Sequence, residues 1–238
     1  MAPNSLFAVE FFELQLQFAA KVAEVIGMPL SEAVGNYTNI FVRLGMGPRF
    51  SQANSEWQAF VTELVDARDK ASYAHSVHRN RLYLPIGTQP ERTVGCFSYA
   101  LANPGFVRLH FKCPDHAPES PLSLANRSAR IAELTALFSH LRASVGMSVG
   151  VVGASWLYNL NSYRSLFPVA YIAGLRAIEH PYERMPLWGQ FLNRDGSVRA
   201  QAGTRFLAQV ARAVTPIELA ACFPLSVLCT TAQAICFV

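Results

Sequence analysis

Residues 148–168 read SVGVVGASWLYNLNSYRSLFP, and the fold class turns on how this stretch divides. Its first part is a run of small and β-branched residues, which suits a short buried strand over Met147–Val152. Its second part brings in Trp156, Tyr158, Asn159 and Tyr163 before Pro168, and the spacing predicts a helix from about Leu157. A strand that turns directly into a helix is one half of an α/β element.

The segments on either side extend this pattern. Upstream, Val94–Leu101 and Phe106–Lys112 alternate with period two, and the turn signal Ala102-Asn-Pro-Gly105 separates them. Val107, Leu109 and Phe111 fall on one face of the second strand, with Phe106, Arg108, His110 and Lys112 on the other. A proline-rich loop follows. Ser123 or Asn126 then caps a helix with Ile131, Leu134, Leu137, Phe138 and Leu141 along one side. Downstream, we expect a strand at Leu187–Leu192, a turn at Arg194-Asp-Gly196, and helices near 198–213 and 217–235.

The first 80 residues have the helical period. Phe7, Phe11, Leu14, Phe18, Val22 and Val25 form one stripe, and Gly27 and Pro29 end it. Ser31 is placed to cap a second helix bearing Val34, Tyr37, Ile40, Phe41 and Leu44. Asn54 opens a third, carrying Trp57, Phe60, Val61 and Leu64 and running to about Ala74. His75 and His78, one turn apart, read as surface histidines. The expectation is an α+β protein in four parts: a helical N-terminal layer over 1–80, a junction at 81–92, a mixed sheet covered by helices over 93–215, and an apolar helix at 216–238. The helical layer is expected to pack on the sheet.

Composition narrows the function classes. With 51% hydrophobic and 15% charged residues in 238, the chain has enough apolar material for a core and too little charge for disorder. The net charge is +4, and 17 of the 20 basic residues are arginine. Guanidinium forks suit phosphate or carboxylate ligands. The arginines form no basic run, which argues against nucleic acid as a partner. Five scattered cysteines, and Glu10 and Glu13 where a secretory leader would be apolar, suggest reduced thiols in a cytoplasm. Leu219 to Val238 carries no charge, but Pro224, Thr230, Thr231 and Gln233 interrupt it, so a buried helix is expected rather than a membrane anchor.

Three constellations carry candidate chemistry. Ser155, after Gly153-Ala154, is half of a nucleophile elbow, although Leu157 stands where the second glycine belongs. It would be a nucleophile with His110 or His180 as base and Asp115, Glu133 or Glu179 as orienter, or a polar contact to a ligand, or otherwise a helix cap. His110, Cys113, Asp115 and His116 are metal-capable types, but no fourth ligand is evident and no metal is expected. Asn159 and Tyr163 would lie one helical turn apart, a phenol as general acid with an amide to orient it, or otherwise Tyr163, Leu160 and Phe167 pack that helix on the sheet. No glycine-rich phosphate loop is present, so nucleotide hydrolysis and dinucleotide redox chemistry have no support.

His110-Phe-Lys-Cys-Pro114, Pro121-Leu122, Ser155-Trp-Leu-Tyr158, Leu166-Phe-Pro168, Leu187-Trp-Gly-Gln-Phe191 and Thr204-Arg-Phe-Leu-Ala-Gln209 together resemble the GNAT superfamily of acyl-CoA-dependent N-acyltransferases. The likeness is to its bacterial branch with a helical N-terminal region, and it covers about residues 94–212. It implies a splayed sheet with acyl-CoA in the cleft, the strand ending near His110 as one wall and the strand ending at Gly153 as the other. Tyr163 would be the general acid, with Asn159 beside it. Where the family carries [QR]-x-x-G-x-[GA], this chain reads Cys113-Pro-Asp-His-Ala-Pro-Glu-Ser-Pro-Leu122, and proline has no N–H to offer a pyrophosphate. Arg127 and Arg130, in the first turns of the next helix, remain as partners for an anionic group. The resemblance implies acyl transfer to an acceptor. A non-catalytic binding or assembly module is the alternative, with its apolar C-terminal segment as a self-association surface, and a serine hydrolase using Ser155 is the second.

Overall fold

The computed structural model describes residues 7–47, 50–81, 90–112, 119–178 and 185–237. Cys113, Pro114, Asp115, His116, Glu179, His180 and most of the expected junction lie outside the described residues. The helices are α1 (Val9–Ile26), α2 (Leu30–Tyr37), α3 (Ile40–Arg43), α4 (Ser55–Asp66) and α5 (Lys70–Asn80). Strands β1 (Arg92–Val94), β2 (Phe97–Leu101) and β3 (Phe106–Phe111) follow, then α6 (Arg127–Ser144), β4 (Gly150–Ser155), α7 (Asn161–Arg164), α8 (Val169–Ala173) and β5 (Arg176–Ala177). The chain ends with α9 (Ala200–Arg212), α10 (Pro216–Ala221) and β6 (Leu228–Gln233). The fold is α+β. It forms two compact units, Met1–Thr88 with His180–Pro224, and Gln89–Glu179 with Leu225–Val238.

In the helical unit, α1 buries Phe11, Phe18 and Val22 completely, as its stripe requires. The second expected helix is broken. Thr38 Oγ1 donates to Val34 O and accepts from Ile40 N, and buried Gln15 accepts from Asn39 N at 2.8 Å. These bonds satisfy the backbone at the break and allow α2 and α3 to be separate. Asn54 caps α4 as expected, accepting from Trp57 N at 2.9 Å. That helix stops at Asp66 rather than Ala74, because Asp69 caps a new helix, α5, through Ser72 N at 3.0 Å. His78 on α5 is fully buried, not a surface residue. Residues 185–191 form a 3-10 helix, which corrects the strand expected at Leu187–Leu192; only Leu192 makes a β-bridge, to Val198. Trp188, Phe191, Phe206 and Phe223 pack here with Phe18.

In the sheet unit the strand order is β1-β2-β3-β4-β6-β5, antiparallel except for the parallel pair β3–β4. The expected strand Val94–Leu101 is split: Val94 pairs with Phe97 across the turn Gly95-Cys96. Gly95 has φ +56, and a Cβ there would lie 2.0 Å from the Glu133 carboxylate. That carboxylate accepts from Cys96 N at 3.0 Å, so glycine is required on both counts. The C-terminal segment holds the main correction. The expected helix over 216–238 is only α10, and residues 228–233 are β6, inserted between β4 and β5. Phe237 then stacks on Phe138 of α6 with centroids 3.8 Å apart. No helix among the described residues is long and apolar enough to cross a membrane.

Candidate functional site at the divergence of two strands

β3 and β4 run parallel but stay paired only from Phe106–Gly150 to Arg108–Val152. Both continue beyond that point with a partner on the outer edge alone. Leu109, His110 and Phe111 remain in register with β2, and Gly153, Ala154 and Ser155 with β6. The sheet therefore opens toward the carboxyl ends of its one parallel pair, where α/β sheets collect ligands. The chain leaving β3 leads to α6, and the chain leaving β4 leads to α7. A cavity of ≈ 110 Å³ lies between these two segments, lined by Leu122, Ser123, Arg127 and Arg130 from one and by Ser162, Ser165 and Leu166 from the other.

The two arginines differ in how far they are committed. Arg127 is exposed, and its Nη2 donates to Ser165 O at 3.2 Å. Arg130 is largely enclosed and pairs with Glu133, and its Nη1 contacts Cys96 Sγ. The Arg130–Glu133 pair thus clamps the Gly95-Cys96 turn, which leaves Arg127 as the cation with an open side at the cavity.

Gly153, just past the point of divergence, lies beneath buried phenols. A Cβ at Gly153 would sit 2.0 Å from Tyr158 Oη and 2.2 Å from Tyr171 Oη. These hydroxyls hydrogen-bond to each other at 2.8 Å. Tyr163 packs 5.1 Å from Tyr158 and 5.4 Å from Phe111, centroid to centroid. Tyr163 and Tyr158 thus reach from the end of β3 to the end of β4. Burial raises all three tyrosines above their ordinary titration range and keeps them neutral; the neighbouring phenols add to this at Tyr158, whereas the bond with Tyr158 offsets a part of it at Tyr171.

The remaining candidates do not form one constellation. Ser155 closes β4, and its Oγ accepts from Leu157 N at 3.1 Å, the geometry of a cap. Asn159 and Tyr163 do not share a helix. Residues 156–159 form a 3-10 turn, Leu160 is extended, and α7 begins at Asn161. Asn159 Nδ2 donates to Trp156 O and Ser226 O, both at 2.8 Å. Tyr158 is in the core. His110 is exposed, and crowding by surrounding atoms, aided by the Arg108 charge, holds its imidazole below the usual value. Strand alternation puts it on the opposite face from Phe111, and so from Tyr163.

The grouping of Gly153, Tyr158 and Tyr171 was not visible in the sequence, since nothing in residue spacing joins a glycine to phenols five and eighteen positions later. No group of three metal-ligating side chains occurs among the described residues. Family models, curated proteins and solved structures contain no match to this chain.

Proposed function

We propose that the sheet unit is acyltransferase-like and holds an acyl thioester of the coenzyme A type where β3 and β4 part. The divergence after Arg108 and Val152 carries this reading, because it opens both strand edges at their carboxyl ends. Arg127 and the start of the helix beyond Ser123 would receive the anionic end of the ligand. Tyr163 would supply a neutral phenol that gives a proton to the departing thiolate as the acyl group passes to an acceptor amine, and the proton that the amine loses would restore the phenol.

A second reading, a non-catalytic ligand-binding or assembly module, is favoured by a specific observation. Ser155, Asn159, Arg130 and the Tyr158–Tyr171 pair each already hold hydrogen bonds to partners inside the protein.

Thermal-shift titration with CoA and acetyl-CoA tests both readings. A ligand that binds only the folded chain at a hundredfold excess over Kd adds about 2.7 kcal/mol of stability. A dose-dependent shift that Arg127→Ala abolishes supports binding at this site. Release of free thiol from acetyl-CoA, dependent on an added amine and lost in Tyr163→Phe, supports transfer. A shift without thiol release favours the module, and no shift at millimolar ligand sinks the coenzyme A reading.

A further inference from the structure

The helical unit contains a cation that forms no ion pair among the described residues. Arg43 ends α3, and its guanidinium carbon stands 4.6 Å above the Phe7 ring. Its Nε is buried and makes no hydrogen bond. Among the described residues no carboxylate comes within ion-pair distance of it. Burial lowers its pKa to about 10. The residue nevertheless keeps part of its surface accessible, and its two Nη atoms are not among the buried atoms left without a partner.

The neighbouring groups add positive or neutral character. His78 is bonded through Nδ1 to Arg43 O at 3.0 Å, and its ring lies 5.6 Å from Phe7. His75 packs on Phe12, and its Nε2 is buried without a hydrogen bond. Arg81 donates to Leu44 O at 2.9 Å and is itself paired with Glu56. The acid of this neighbourhood is thus engaged by Arg81. A ring face offsets only part of the desolvation of a guanidinium, whereas an oxyanion meets the fork with two charge-assisted bonds.

We infer that Arg43, backed by Phe7 and held through its carbonyl by His78 of α5, is a binding site for a small oxyanion. The ligand chemistry is a carboxylate or a phosphate group, engaged through the outer edge of the guanidinium. This site belongs to the helical unit and is independent of the acyl-thioester reading.

Calorimetric titration of the full chain with inorganic phosphate, and separately with acetate, tests the inference. The expected result is saturable binding of at least one ion, weakened about tenfold or more in Arg43→Gln and unchanged in Arg205→Ala, an exposed arginine of α9. Arg43→Lys keeps the charge without the fork and serves if Arg43→Gln does not fold; it too is expected to weaken binding. Saturation by phosphate alone identifies a phosphoryl ligand, and saturation by acetate alone a carboxylate. Absence of saturable binding of either ion at millimolar concentration overturns the site, as does affinity unchanged in both Arg43 variants.

Discussion

The two units bury aromatic rings in different ways. The helical unit gathers Phe18, Trp188, Phe191, Phe206 and Phe223, which are almost entirely hydrocarbon, with neighbouring centroids 4.7–6.1 Å apart. The sheet unit gathers Tyr158, Tyr163 and Tyr171 and brings two hydroxyls to Gly153. The first arrangement is held by volume and shape through contacts among largely non-polar rings, and its one polar group, Trp188 Nε1, is buried without a hydrogen bond. The second must also pair hydroxyls, because an unpaired buried one would cost about 1–3 kcal/mol. Phenols concentrated where two strands separate mark the place where the sheet unit departs from simple packing.

Alkaline titration should produce the largest contrast. The folded tyrosines titrate well above 10, whereas in the unfolded chain they ionise near 10. Their contribution is complete below the unfolded value and is lost as pH rises toward the folded ones. Each loses about 1.4 kcal/mol per pH unit above 10, so three together give a steep fall. Urea unfolding at pH 9, 10 and 11, followed separately in the two units by hydrogen exchange, should show the sheet unit weakening first. Equal loss in both units would break the comparison.

Trp188→Ala is expected to cost about 3–5 kcal/mol, because the cavity it leaves is walled by rings that cannot collapse freely. The urea midpoint should fall without a change in slope. Gly153→Ala sharpens the comparison from the other side. Its methyl meets two phenol oxygens held on stiff rings, and the expected loss is about 1–3 kcal/mol through overpacking. Double substitution with Tyr171→Phe, which removes one of the two colliding oxygens, should recover part of that loss. The smallest effect lies at the helix caps. Asn54→Ala should cost about 1 kcal/mol. Asp69 is held below the usual carboxylate range by its bonds to Ser72. Its contribution is present above the unfolded pKa and disappears as pH falls through the lower folded value, which acid titration of an Asp69→Asn variant would check by its absence.

The candidate site was only partly legible in the sequence. Period two placed His110 and Phe111 on opposite faces, and the packing reading of Tyr163 set it against the sheet, but residue spacing did not say on which face. The expected pairing of Asn159 with Tyr163 failed because it assumed one continuous helix, and Leu160 interrupts it in an extended conformation. Arg127 and Arg130 were placed correctly at the start of a helix. Their different commitments depend on Glu133 and Cys96, and the contact with Cys96 spans 34 residues.

The sequence by itself determined the amphipathic helices α1, α4, α6 and α9, the hairpin around Asn103–Gly105 and the α+β class. These follow from local period and turn chemistry, which act over a few residues. Tertiary structure alone decided that the uncharged stretch after Leu219 contributes β6 to the middle of the sheet. An apolar run of that length has no period to distinguish helix from strand. What distinguishes them is the free edge of β4, whose backbone N–H and C=O groups residues 228–233 satisfy. The opening between β3 and β4 is decided in the same way, since each strand end follows its outer neighbour, and that choice is made by residues far apart in the chain.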